Sequence, residues 1–177
     1  MSINFDDLLE PTPEILLAPM APPRRRSLII LVGEAKKEAD LVVELVHEAG
    51  FMVDGAVTVD ADEHEIRKAL ETGIVGGTDL ILTVGGTGVG PRNKTPDATE
   101  AVLDQSLPGI QQALRASGLA CGAVDACVSR GVAGISGSTL IVNIAGSRPA
   151  IRDGMAMLPP MAEHIIDQLV DKELWEN

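Results

Sequence analysis

The chain has 177 residues, 45% of them hydrophobic, which is enough to bury the core of one domain and excludes disorder of the whole. Its 26 acidic and 14 basic residues leave a formal charge of −12, and two Phe, one Trp and no Tyr leave few stacking platforms, so a nucleic-acid backbone is excluded as the main partner. No apolar run reaches the length of a membrane span, and no basic start followed by an apolar core opens the chain. The two cysteines, Cys121 and Cys127, are too few for a disulfide scaffold and wrongly spaced for zinc, which predicts buried or idle thiols in a cytoplasmic protein.

Residues 1–26 contain Pro11, Pro13, Pro19, Pro22 and Pro23 and end in Arg24, Arg25 and Arg26. They read as a proline-rich mobile arm, with Ile15, Leu16 and Leu17 able to dock on the domain or a partner and the arginines read as solvated charge. One domain over 27–170 and a short tail over 171–177 follow, with Trp175 as a tail anchor or a subunit contact. The apolar run 28–32 predicts a strand covered on both faces, and the spacing of Ala39, Val42, Val43, Val46 and Ala49 predicts a helix over 36–49, stopped by Gly50. A strand over 52–59 and a helix over 63–72, with Ile66, Ala69 and Leu70 on one face, come next.

Residues 80–84 then form a buried strand that runs into Gly85, Gly86, Thr87, Gly88 and Gly90. Thr95 is positioned to cap the following helix, Pro96 suits its first turn, and Asp97 suits the positive end of its dipole. Strand, glycine loop and helix start together make an anion pocket, because small residues let backbone amides approach a phosphate. Gly85, Gly86, Thr87, Gly88, Arg92 and Thr95 are therefore the candidate phosphate contacts. Helices are predicted over 95–103 and 109–117, a short strand over 124–128, and a turn punctuated by Gly131, Gly134 and Gly137. A second buried strand over 139–144 leads into Gly146 and Ser147, and Pro149 opens a long helix that Pro159 and Pro160 should kink or divide. By itself this second loop reads as a tight turn, but it repeats the plan of the first. Alternating strands and helices imply a mostly parallel sheet covered by helices on both sides, with ligands at the carboxyl ends of the strands. His47, His64 and His164 are not spaced as metal ligands, and Ser129 and Ser136 lack a nucleophile elbow.

Thr83 to Gly88, Pro91 to Ala98 and Val142 to Ser147 resemble the signatures of the MoaB/MogA molybdopterin-binding family, and Pro108-Gly109-Ile110 with Arg115 and Ser129 to Gly134 are similar to two further stretches of it. The resemblance implies a three-layer αβα sandwich, trimers or dimers of trimers, and a role in molybdenum cofactor biosynthesis, with molybdopterin as ligand or substrate and ATP with Mg²⁺ as co-reactants in its adenylylation. It implies that Gly86 to Gly88, Thr87 and Arg92 hold phosphate and that Ser147 is a second anion contact. Asn93 stands where the family has an aspartate linked to magnesium, and Ala61 where it has an essential one; Asp60 and Asp62 flank Ala61 and either could substitute, although Asp62 with Glu65 also reads as a helix cap. Asn93, Asp60 and Asp62 are thus the candidate catalytic positions. Residues 32–37 replace a longer family loop, Gln112 replaces a glutamate, and Ala145 and Arg148 replace prolines. Two expectations follow: a molybdopterin-binding adenylyltransferase, or a catalytically inactive member serving as an interaction or regulatory module.

Overall fold

The computed structural model describes residues 25–175, with side chains to residue 170. Six strands, β1 (Arg26–Val32), β2 (Met52–Val59), β3 (Leu80–Val84), β4 (Gln105–Ser106), β5 (Ala133–Ser136) and β6 (Thr139–Ile144), form one sheet in the order β2-β1-β3-β6-β5-β4. β1 pairs in parallel with β2 and β3, and β3 with β6, while β5 is antiparallel to β6 and β4. Every residue of β3 and β6 is buried, which is why these two strands read as unbroken apolar runs rather than as an alternation.

Helices α1 (Ala39–Glu48), α4 (Pro108–Ala120) and α5 (Arg148–Trp175) cover one face, and α2 (Glu63–Val75) and α3 (Thr95–Glu100) cover the other. Successive strand residues supply the two cores in turn. Ile29, Leu31, Leu82, Val84, Val142 and Ile144 pack with Val42, Val46, Ile110, Ile151 and Leu158, whereas Ile30, Val32, Ile81 and Ile141 pack with Ile66, Leu70 and Ala98. Ile66 and Leu70 are fully buried, and at about 1.5–3 kcal/mol each they are what fastens α2 to the sheet. The result is the expected three-layer αβα sandwich, with a mixed sheet.

Several local expectations are corrected. The helix expected over 36–49 is a 3-10 turn over Gly33–Glu38 followed by α1, because β1 passes into it through Gly33 at φ +56°. The strand expected over 124–128 is a 3-10 turn over Val124–Val128: Ala126 packs on Gly118 of α4, and Val124 and Val128 are exposed. The turn expected around Gly134 contains β5, and this glycine is required there because a Cβ would lie 2.2 Å from the Gln105 carbonyl oxygen on β4. Thr95 is not a cap. The cap position of α3 is Lys94, and the Thr95 hydroxyl donates instead to the Gly85 carbonyl at 2.8 Å. Pro159 and Pro160 do not divide α5, whose Leu158, Ala162 and Ile166 stay buried on the sheet through the proline pair. Cys121 and Cys127 are free and exposed rather than buried.

Arg25 pairs with Asp167 of α5, and Arg26 with Asp54 at 2.8 Å, so these two arginines are tied to the domain. Residues 1–24 of the arm expected over 1–26, the Trp175 side chain and the last two residues lie outside the described residues.

Candidate functional site

Parallel order places the carboxyl ends of β1, β3 and β6 side by side, and the loops leaving them touch. The Gly85 N–H donates to the Ile144 carbonyl at 2.8 Å, a Cβ on Gly146 would lie 3.1 Å from the Gly85 Cα, and a Cβ on Gly85 would lie 2.9 Å from the Val32 carbonyl oxygen. Gly85 and Gly86 have φ of +94° and +67°, which a side chain would make costly. The two glycine loops seen separately in the sequence are therefore one structure.

Together they floor a cleft of about 960 Å³ whose walls are residues 32–35, the 60–62 turn and the loop from Gly85 to Asn93, with Gly146 and Ser147 at the back. The N–H groups of Gly86, Thr87, Gly88, Val89 and Gly90 donate to no acceptor among the described residues. An unpaired run of donors beside the amino end of α3 is an anion cradle. The Thr87 hydroxyl and the exposed Arg92 guanidinium likewise have no partner among the described residues, so both are free to meet an anion.

Behind the loop, Arg130 acts as a clamp. Its backbone N–H donates to Thr87 O at 2.7 Å, its Nε to Gly88 O at 3.1 Å, and one terminal nitrogen to Asn93 O at 2.7 Å and Asp97 Oδ2 at 3.0 Å. The hydrogen bond from Arg130 holds the Asp97 carboxyl below its ordinary range and outweighs the opposing effect of burial; Asp97 in turn raises Arg130. Deeper still, the buried Asn143 donates to Thr83 Oγ1 at 2.7 Å and Thr99 Oγ1 at 2.9 Å, and accepts from Val132 N at 3.0 Å. Gln111 donates to the Asn143 and Val132 carbonyls at 2.9 and 3.1 Å. Neither Arg130 nor Gln111 stood out among the sequence candidates; the only local signal for Gln111 was its place within α4, one residue before the exposed Gln112.

Of the predicted site residues, Gly85, Gly86, Thr87, Gly88, Arg92, Asn93, Asp60, Asp62, Gly146 and Ser147 line the cleft, and Thr95 does not. Thr95 is fully buried and props the loop from beneath. Asp62 caps α2, its Oδ1 accepting from His64 N at 3.0 Å and Glu65 N at 3.1 Å, whereas the Asp60 carboxylate has no partner among the described residues. Arg148, at the start of α5, is neutralised by Glu38 at 2.7 Å and ties that helix to the 3-10 turn after β1. Among the described residues no group of three or more His, Cys, Asp or Glu side chains is gathered to hold a metal ion, and no helix is long and apolar enough to cross a membrane.

A second chamber, of about 430 Å³, opens between α4, the 124–128 turn and α5, and shares Asp125, Ser129, Ala145 and Ser147 with the cleft. A run of unpaired donors joined to a mainly apolar chamber is the arrangement of a small-molecule binding protein, suited to a ligand with an anionic end and an apolar end.

The sequence pattern of the probable molybdopterin binding domain matches residues 30–164, and the chain belongs to this family, the MoaB/MogA type of molybdenum cofactor biosynthesis proteins. It is 31% identical over 157 residues to molybdenum cofactor biosynthesis protein B of Bacillus cereus, covering 84% of this chain and 93% of that one. It is 34% identical over 99 residues to molybdopterin adenylyltransferase of Helicobacter pylori, covering 56% of each. A crystal structure of a molybdopterin biosynthesis protein from Mycobacterium abscessus superposes with a TM-score of 0.79 at 55% identity, over 84% of this chain and 98% of that one. The chain spans less than half the length of the bifunctional molybdenum cofactor biosynthesis proteins it also matches, 45% of one and 37% of another.

Proposed function

We propose that the chain binds molybdopterin across the cleft and the chamber and adenylylates it with ATP. The observation that carries this reading is the run of unpaired N–H groups from Gly86 to Gly90, in a cleft also lined by Thr87 and Arg92 and sharing Ser129, Ala145 and Ser147 with a chamber large enough for a heterocycle. Gly85, Gly86, Gly88 and Gly146 keep the floor low, Thr95 braces it, and Ser147 contributes a second anion contact at the start of α5.

A phosphate oxygen of molybdopterin attacks the α-phosphorus of ATP, the bond between that phosphorus and the bridging oxygen breaks, and pyrophosphate leaves with the electron pair. The chain's contribution is to hold two phosphorylated reactants in line and to offset their charge, which can lower a barrier without any covalent intermediate. Arg92 neutralises charge at the mouth, and the loop amides hold the phosphate at which charge develops. Mg²⁺ would be held mainly by the phosphate oxygens of the substrate, so a three-carboxylate cage is not needed; Asp60, the free oxygen of Asp62 and the Asn93 side-chain carbonyl line the cleft and would supply the protein's oxygen donors. The ion supplies charge neutralisation on the triphosphate. Asn93 brings an oxygen without a negative charge, so Asn93→Asp should tighten Mg²⁺ dependence and raise turnover.

Calorimetry with molybdopterin and a pyrophosphate-release assay with MgATP test the reading. Binding and release are expected from the native chain, and Thr87→Ala with Arg92→Ala should weaken binding while thermal unfolding stays unchanged. No binding by folded protein would overturn the molybdopterin assignment, and binding without release would overturn adenylyl transfer in favour of an inactive binding module. The same reading places the protein in the cytoplasm as a homotrimer or a dimer of trimers, and a monomer by light scattering at micromolar concentration would contradict it.

A further inference from the structure

The chamber contains a carboxylate that the phosphate chemistry does not use. Asp153 projects from α5, half-buried, into a lining otherwise dominated by Leu114, Ile144, Pro149 and Ala150. Its Oδ1 accepts from the Ser117 hydroxyl at 2.7 Å and lies 3.9 Å from Cys121 Sγ, while Oδ2 has no partner among the described residues. On α4 the facing residue is Gly118, where a Cβ would stand 3.8 Å from Oδ2, so no side chain at that position covers this oxygen. The α4 side chains Arg115 and Gln111 are committed elsewhere: Arg115 donates to the Ser129 and Gly131 carbonyls at 2.9 and 2.7 Å, and the Gln111 amide to the Val132 and Asn143 carbonyls, while the other carboxylate of the lining, Asp125, lies on the 124–128 turn. A carboxylate held by Ser117 in a mainly apolar chamber is oriented to accept from a ligand.

We infer that Asp153 reads the paired N–H edge of a 2-amino-4-oxo-pteridine, and so fixes which end of the reaction occupies which half of the site. That ring presents the N3–H and one hydrogen of the 2-amino group side by side, matching the two oxygens of one carboxylate. Adenine presents an acceptor beside its amino group on the corresponding edge and cannot make the pair. The pterin ring therefore enters the chamber, its phosphate crosses the shared wall of Ser129, Ala145 and Ser147, and the nucleotide stays in the glycine-loop cleft. This rests on the molybdopterin reading of the site and adds the residue that selects the ring.

The test uses the full chain and fluorescence titration with 6-hydroxymethylpterin and 6-hydroxymethyllumazine, which differ in carrying a 2-amino or a 2-oxo group. Native protein should prefer the pterin by about tenfold or more, the size of one charge-assisted hydrogen bond exchanged for one repulsive contact, since both rings keep the N3–H. Asp153→Asn keeps the shape, offers one donor and one acceptor, and should shift the preference towards the lumazine by a similar factor. A gain in lumazine affinity cannot come from unfolding, so it separates recognition from a structural role. Equal loss of both ligands, an unchanged preference, or displacement of the pterin by adenosine would each overturn the assignment of Asp153. Those outcomes leave molybdopterin binding by native protein intact, whereas absence of that binding overturns both readings.

Discussion

Replacing Asn143 with leucine tests whether the buried polar hub, rather than the glycine loop itself, holds the two halves of the site together. Asn143 is 1% exposed, and its amide joins Thr83 of β3, Thr99 of α3 and the Val132 N–H ahead of β5. Leucine is similar in bulk and leaves no large cavity, so the cost is that of stranded polar groups. The Thr83 hydroxyl, 0% exposed, and the part-buried Val132 N–H lose their partners, at about 1–3 kcal/mol each. Thr99 loses little, because its hydroxyl still donates to Thr95 O at 2.8 Å. Added apolar burial returns about 1 kcal/mol. The net expectation is a destabilisation of about 1–5 kcal/mol, read as a lower urea midpoint at unchanged slope and a melting temperature lower by roughly 2–20 °C. In the cycle with Thr83→Val, the double variant should lose less than the sum of the singles by about 1 kcal/mol, because one stranded group has been removed. A loss below about 0.5 kcal/mol, or strict additivity, would refute the hub.

Gly86→Ala places a methyl 2.3 Å from Thr95 Oγ1 at a backbone φ of +67°, so the loop must leave its seat; a stability loss of about 1–3 kcal/mol is expected, together with loss of molybdopterin binding in calorimetry. Gly134→Ala drives a methyl against the Gln105 carbonyl and the Leu103 side chain, and should cost about 2–3 kcal/mol in urea unfolding without any direct contact to the cleft. The Asp97 carboxyl is held low by Arg130, so its contribution to stability is present above the unfolded carboxylate value near about 4 and is lost as pH falls through the lower folded value. Asp97→Asn should therefore flatten the stability curve only below about pH 4, a small change because both partners are largely exposed; identical acid slopes in the two proteins would dismiss the clamp's ionic part.

Most of the fold could be read from contiguous residues. The apolar runs that became β3 and β6 had to be strands buried on both faces, and the helical spacing of Ile66 and Leu70 needed only one side of a sheet to bury against. The glycine loop was legible for the same reason, since a backbone that must turn sharply and approach a phosphate needs glycine at that place. Where the local pattern misled, a distant contact decided. Gly134 looks like a turn residue until β4 lies across it, Thr95 looks like a cap until the Gly85 carbonyl comes within reach, and 124–128 looks like a strand until Ala126 finds Gly118.

By itself, the sequence determined the layered α/β class, the two glycine loops and the residues able to meet a phosphate, because each depends on side-chain size and spacing along a few consecutive positions. Only the tertiary structure decided that the two loops form one floor, that Arg130 clamps a loop 42 residues away, that Asn143 ties Thr83 to Thr99, and that Asp153 enters the chamber beside the cleft. Those groups are isolated polar residues in the chain, and their roles arise from partners that become neighbours only when β3 and β6 pair and α4, α5 and the 124–128 turn close around their ends.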